Sequence, residues 1–390
     1  MTTFAERVDA LSVTDLVAAG SMKWTAFPGC MGAWVAESDF GLAPPIEAVL
    51  RKASQQRLLG YVPIELRALV KQCAAEYQAR RYGWQVAPTQ VFTLPDVLAG
   101  IIDVMTHFMR PGSKVIVPTP NYMPFVALPE VHRREIIQVP MRRSETGFRL
   151  DLDDLDAAFH AGGELLIICN PHNPIGKMYT RDEMLGICEV VDANRGQVFA
   201  DEIHAPLTYD GRRHIPYASI GDTAAQHTVT AFSASKAFNI AGLKCAQMVL
   251  GNPEQQQWAI ARDLEHEPSV LGVLANIAAY QEGDAWLADE LDYLDGNRHL
   301  VVNRIRAELP KARILLPEAT YLSWIDLSAY DLGDAPVKWF LEHAQIAVTD
   351  GNDCGAAGRG HIRFNFATPR PVLSEMLDRI IRAVNATVAR

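Results

Sequence analysis

The sequence predicts an α/β fold built on a mainly parallel sheet, with a second, smaller α+β unit. Three observations carry this. Apolar, β-rich runs recur at KVIVP (114–118), ELLIIC (164–169), QVFAD (197–201), TVTAFS (228–233) and CAQMVL (245–250). Helical patterns separate several of them, which reads as strands buried on both faces and joined by crossover helices. After Gly283 the texture changes to one long helical pattern followed by short strand-like runs.

The elements follow in order. Residues 1–45 are rich in Gly and Pro near their end (FGLAPP) and are assigned to the smaller unit. The large unit is placed at 46–285. Within it, Arg181–Ala193 has helical spacing of apolar residues and is preceded by Thr180-Arg-Asp-Glu183. That tetrad is a capping box, in which the threonine and glutamate side chains satisfy free amides of the first turn. In the remainder, 286–390, residues 286–309 read as one long helix. YLSWIDL (321–327) and HIRFNF (361–366) read as strands.

Composition narrows the function classes. The 390 residues are 49% hydrophobic and 21% charged, an ordinary globular balance. The formal net charge of −10, without a basic block, argues against a nucleic-acid partner. The longest apolar runs, such as LLIIC, are too short to span a bilayer. The start, MTTFAERVDA, lacks the basic end and apolar core of a secretory signal. Six scattered cysteines form no CxxC pair, so no zinc site or other metal is expected. A reduced, cytoplasmic protein is expected.

Chemistry collects at three strand ends, where open parallel sheets bind ligands. LLIIC runs into Asn170-Pro-His-Asn173, VFA into Asp201-Glu-Ile-His204, and VTAF into Ser233-Ala-Ser-Lys236. An ammonium group among small residues after a buried strand is costly unless paired or neutralised. Lys236 alone would read as a solvent-facing lysine. Beside an acid and an amide at neighbouring strand ends, it reads as the lysine that bonds an aldehyde cofactor. A carboxylate would keep the ring nitrogen of pyridoxal phosphate protonated, and an amide would meet its phenolic oxygen. Asp201 beside Glu202 would otherwise be a plain acidic turn, and Asn170, before proline, reads as a turn former.

PHNPIGK, FADEIH, SASKAFNIAGLK and RFNFATPR resemble the fold type I pyridoxal-phosphate enzymes of the aminotransferase class I/II superfamily. WVAESDF (34–40), RYGWQVAP (81–88), AAYQEGDAWL (278–287), YLDGNRHLVV (293–302) and PEATYLSWIDL (317–327) resemble the cystathionine β-lyase-like C–S lyases of the MalY/PatB type. The resemblance runs from about Lys23 to Arg370. It implies seven strands in the large sheet and a homodimer with shared active sites. By position it implies that Lys236 carries the cofactor aldehyde and moves the substrate α-proton, while Asp201 holds the ring nitrogen. Asn173 and His204 approach the phenolic oxygen and Tyr122 stacks on the ring. Ser233, Lys244 and the amides of Val97 and Leu98 hold the phosphate, joined by Tyr61 of the other subunit. Arg363 takes the substrate carboxylate, as a planar fork suits it.

The simpler readings remain beside these. His204 could be a packed histidine, Tyr122 a half-buried aromatic, Tyr61 a locally packed one, and Arg363 and Lys244 surface cations. The sequence also departs from the family pattern. Lys244 stands where arginine is common, Asp96 where a small residue lies near the phosphate, and Glu37 and Ser38 where aspartate and methionine are usual. Cys354 replaces a common aromatic. Asp96 would repel a phosphate unless it turns away or caps the next helix. The resemblance implies β-elimination from cystathionine or another cysteine S-conjugate. Transamination and a decarboxylating variant share the early steps, and a non-enzymatic regulatory role is the alternative of a different class.

Overall fold

The computed structural model describes residues 2–333 and 336–388; positions 1, 334–335 and 389–390 of the predicted smaller unit lie outside the described residues. Seven strands make the large sheet: β1 Val91–Leu94, β2 Lys114–Thr119, β3 Ile136–Pro140, β4 Gly163–Cys169, β5 Gln197–Asp201, β6 Thr228–Phe232 and β7 Ala246–Leu250. Their spatial order is β1-β7-β6-β5-β4-β2-β3. Strand β7 runs antiparallel to β1 and β6, and every other pair is parallel. The two strands that the apolar runs did not reveal, β1 and β3, are the edges of the sheet. One is four residues long, and the other is only partly buried, which weakens its apolar pattern.

Side-chain alternation explains why the inner strands are apolar throughout. Leu166 and Ile168 of β4 pack with Ile187 and Val191 of the helix Arg181–Ala193 on one face. Leu165 and Ile167 pack with Ile101 and Val104 of the helix Val97–His107 on the other. The Thr180–Glu183 capping box forms as the sequence predicts.

A second, antiparallel sheet has the order β8-β9-β11-β10, from β8 Arg313–Ile314, β9 Leu322–Asp326, β10 Thr349–Asp350 and β11 His361–Asn365. The long helix spans Asp284–Glu308. The N-terminal segment joins this region: Met31–Gly32 pairs in parallel with Ile346–Ala347. Among the described residues no helix is long and apolar enough to cross a membrane.

Two features position the site. In register, Cys169 pairs with Asp201 and Asp201 with Ala231, so the carboxyl ends of β4, β5 and β6 lie side by side. The strap Trp34–Ser38 then crosses these ends and is fastened from beneath. Lys23, fully buried, donates to Asp39 Oδ2 at 2.7 Å, the Ala367 carbonyl at 2.9 Å and the Glu37 carbonyl at 3.3 Å. Removing one partner of a buried ion pair typically costs about 3–5 kcal/mol, because the other charge stays buried. Asp39→Ala is therefore expected to lose that much stability in urea unfolding. Thr180→Ala, which removes only a cap, is expected to lose about 1 kcal/mol. Equal losses would contradict this role for the Lys23–Asp39 pair.

Candidate active site

A cavity of about 350 Å³ opens where the three strand ends meet the strap. Short loops carry the chemistry into it. Beyond β4 comes Asn173, at the end of β5 stand Asp201 and then His204, and beyond β6 come Ser233, Ser235 and Lys236. From outside the large sheet, Arg363 of β11 reaches in. The first turn of the helix Val97–His107 supplies Val97 and Leu98, and Tyr122 closes one wall.

Lys236 does not swing to open solvent. Its Nζ donates to the Ala36 carbonyl at 3.1 Å, and the same carbonyl accepts Tyr321 Oη at 2.9 Å. Burial, helped by the Arg363 guanidinium, holds the Lys236 ammonium down to about 8. Burial pushes the Asp201 carboxyl up to about 7, although the Ile203 amide donates to its Oδ1 at 3.1 Å. His204 is held well below its usual value by burial first, then by Lys236 and Arg363, so its ring is neutral. Burial raises the Tyr122 phenol.

Arg363 is 2% exposed, and both terminal nitrogens of its fork are tethered. Nη1 donates to Asn173 Oδ1 at 3.1 Å; Nη2 donates to the Trp34 carbonyl at 2.7 Å and to Thr349 Oγ1 at 3.1 Å. Two buried atoms on the cavity wall have no partner among the described residues: Arg363 Nε and His204 Nδ1. A guanidinium N–H and an imidazole nitrogen are thus left for a polar ligand. The donor set fits an anionic substrate and a nitrogen-heterocycle aldehyde cofactor. It offers an amine that loses its proton near neutrality, a carboxyl able to share a proton with a ring nitrogen, and an arginine fork for a carboxylate.

Ten of the eleven residues singled out from sequence line this one cavity: Val97, Leu98, Tyr122, Asn173, Asp201, His204, Ser233, Lys236, Lys244 and Arg363. Tyr61 does not. It is 88% exposed, between exposed Leu59 and Ile64, the first residue of the helix Ile64–Tyr82. The Ser233 hydroxyl donates to the Cys245 carbonyl at 2.7 Å, so it must turn to serve a ligand. Asp96 does cap the next helix, accepting the Ala99 amide at 3.0 Å, and its other oxygen meets Lys244 Nζ at 2.9 Å. Glu37, Ser38 and Cys354 stand outside the cavity wall. Ser38 is clasped through its backbone by the Asn239 side chain, and Glu37 accepts the Lys23 amide at 3.1 Å. Sequence reasoning missed the backbone carbonyls of Trp34 and Ala36, which hold Arg363 and Lys236. A motif was visible there, but the side chains do not announce that role. It also missed Glu290, fully buried near Ser38, with neither carboxylate oxygen partnered among the described residues.

Comparison with known proteins agrees with this geometry. Residues 36–380 match the model of the family "Aminotransferase class I and II". The chain is 35% identical over 365 residues to the cystathionine beta-lyase of Corynebacterium glutamicum, covering 92% of this chain and 95% of that one. It is 30% identical over 378 residues to the cystathionine beta-lyase PatB of Bacillus subtilis, covering 94% and 97%. The PLP-bound C-S lyase from Staphylococcus hominis superposes with a TM-score of 0.90 at 27% identity, covering 97% of this chain and 98% of that one. With its sheet order, strand-end residues and near-full-length match, the chain belongs to the aminotransferase class I and II family.

Proposed function

We infer that the chain is a pyridoxal-phosphate-dependent C–S β-lyase, acting on cystathionine or another cysteine S-conjugate to give a thiol, pyruvate and ammonia. One observation carries the reading: a desolvated Lys236 amine shares a single cavity with Asp201 and Arg363. The names of the relatives favour elimination over transamination. Net turnover consumes one water and needs no oxidant.

Bound pyridoxal phosphate would supply an electron-withdrawing ring that stabilises negative charge at the substrate Cα. The rest is the work of this chain. Arg363 would hold the substrate carboxylate with its unpartnered Nε, while Asn173, Trp34 and Thr349 fix its two terminal nitrogens. Lys236 would hold the cofactor aldehyde and, when free, would accept the Cα proton. Asp201 would keep a proton on the ring nitrogen. Asn173 and His204 would serve the ring oxygen, and Tyr122 would pack against the ring. The amides of Val97 and Leu98, with Ser233 and Lys244, would hold the phosphate. A thiol of pKa roughly 8.5 is a competent leaving group near neutral pH.

The reading extends to assembly and organisation. Leu59, Tyr61 and Ile64 are exposed apolar residues at the start of the helix Ile64–Tyr82, which supports a homodimer in which Tyr61 of each chain meets the phosphate held by its partner. A large unit at 46–285 and a small one at 1–45 with 286–390 fit the two sheets. Six free cysteines, five of them buried, fit a reducing, cytoplasmic setting.

The direct test is incubation with cystathionine and no added keto acid. Pyruvate and free thiol in equal amounts are expected; turnover only after adding a keto acid would make the protein an aminotransferase. A second expectation concerns pH. The Lys236 pKa falls from 10.5 to about 8, so the nucleophilic neutral amine accumulates as pH rises through 8. Capture of pyridoxal phosphate by the ligand-free chain should speed up about tenfold from pH 7 to pH 9 and then level. A rate still climbing beyond pH 10 would contradict the desolvated amine. A third concerns Asp201, whose folded pKa is raised from 3.8 to about 7. The fold therefore favours the protonated acid, and stability falls as pH rises from the unfolded value through about 7. Asp201→Asn should leave the ligand-free chain at least as stable as the parent at pH 8, by thermal melting. Its turnover should drop by about a hundredfold or more.

A further inference from the structure

The phosphate end of the cavity contains a carboxylate. Asp96 stands immediately before the helix Val97–His107 and its two oxygens are divided. Oδ1 takes the Ala99 amide at 3.0 Å; Oδ2 takes Lys244 Nζ at 2.9 Å. The cap bond goes to Ala99, so the amides of Val97 and Leu98, two residues that line the cavity, are not taken by it. Three cations line it in all. Lys236 and Arg363 are held at the strap, by the carbonyls of Ala36 and Trp34. Lys244 is therefore the cation of the helix end, and Asp96 already neutralises it. Lys244 projects from a backbone with φ of +52°, the left-handed region, which fixes the direction in which its side chain leaves the chain. A phosphate monoester dianion arriving there meets an ion pair of net charge zero, with the carboxylate at the start of the helix. The pair is half-exposed, with side-chain exposures of 57% and 40%, so it is weak enough to exchange.

We propose that Asp96 limits how tightly the cofactor is held: phosphate binding must exchange the Asp96–Lys244 ion pair and then tolerate the displaced carboxylate beside it. This rests on the cofactor reading above and adds to it. The chain then carries its own competing anion at the phosphate site. It exchanges cofactor with the free pool more readily than a chain with an uncharged residue at 96. The effect falls chiefly on the phosphate, because the carboxylate is bonded to Lys244 and the helix end and not to Lys236.

The test compares the parent with Asp96→Asn and Asp96→Ser, both of which keep an oxygen able to cap the helix. Thermal melts confirm that each variant is folded. The cofactor-stripped chains are titrated with pyridoxal phosphate, following tryptophan fluorescence and cofactor absorbance. Both variants should bind roughly tenfold more tightly than the parent at low salt, with the gap closing as salt rises. Pyridoxal without its phosphate should bind all three chains equally. Equal or weaker binding of pyridoxal phosphate by both folded variants overturns the proposal alone; Asp96 would then merely aim Lys244. An equal gain for pyridoxal would also overturn it. A parent chain that binds no pyridoxal phosphate at any concentration contradicts the functional reading as well.

Discussion

Lys236 leaves β6 after three small or polar residues and ends with its amine on the Ala36 carbonyl, in a wall shared with Arg363. Desolvation and a neighbouring guanidinium both act against its charge. The remaining parts of the site answer that one constraint. The acid that could offset the charge, Asp201, is itself buried and reluctant to ionise. His204 is kept neutral by the same surroundings. The result is an amine and a carboxyl that titrate close to neutral pH beside an imidazole held neutral, which suits acid–base work at a substrate carbon.

The strap is what makes the amine sit there. Trp34 and Ala36 contribute carbonyl oxygens rather than side chains. They are held in place by the buried Lys23 beneath and by Asn239, three residues after Lys236, which clasps the Ser38 backbone from both sides. Asn365, two residues after Arg363, donates to the carbonyls of Val35 and Glu37 at 2.7 Å each. The N-terminal segment, the lysine loop and β11 thus meet in one hydrogen-bonded unit. Any shift of the strap moves both Lys236 and Arg363, and geometry at a reacting centre tolerates little displacement.

Much of this was legible in the sequence. Strands buried on both faces are apolar throughout, so β2, β4, β5, β6 and β7 stood out, whereas the edges β1 and β3 did not. The antiparallel direction of β7 left no compositional mark, since a buried strand reads alike in either direction. Polar side chains at the ends of apolar runs exposed Asn173, Asp201 and Lys236, because such residues are costly there without a purpose. The backbone acceptors at Trp34 and Ala36 stayed hidden, since every residue carries a carbonyl. Asp96 was visible as an oddity, but its outcome depended on two distances, to Ala99 and to Lys244. Glu290 was hidden inside an ordinary charged helix, and only burial reveals that its carboxyl is cut off from water, within electrostatic reach of Tyr209 and Tyr321.

The account turns on the amine at Lys236, and chemical trapping examines it most directly. The chain loaded with pyridoxal phosphate is reduced with borohydride, digested, and its peptides mapped by mass. A pyridoxyl group on Lys236, with loss of activity in proportion, is the expected result. A label spread over other lysines, or an unmodified Lys236 in a preparation that still turns over, would contradict the account.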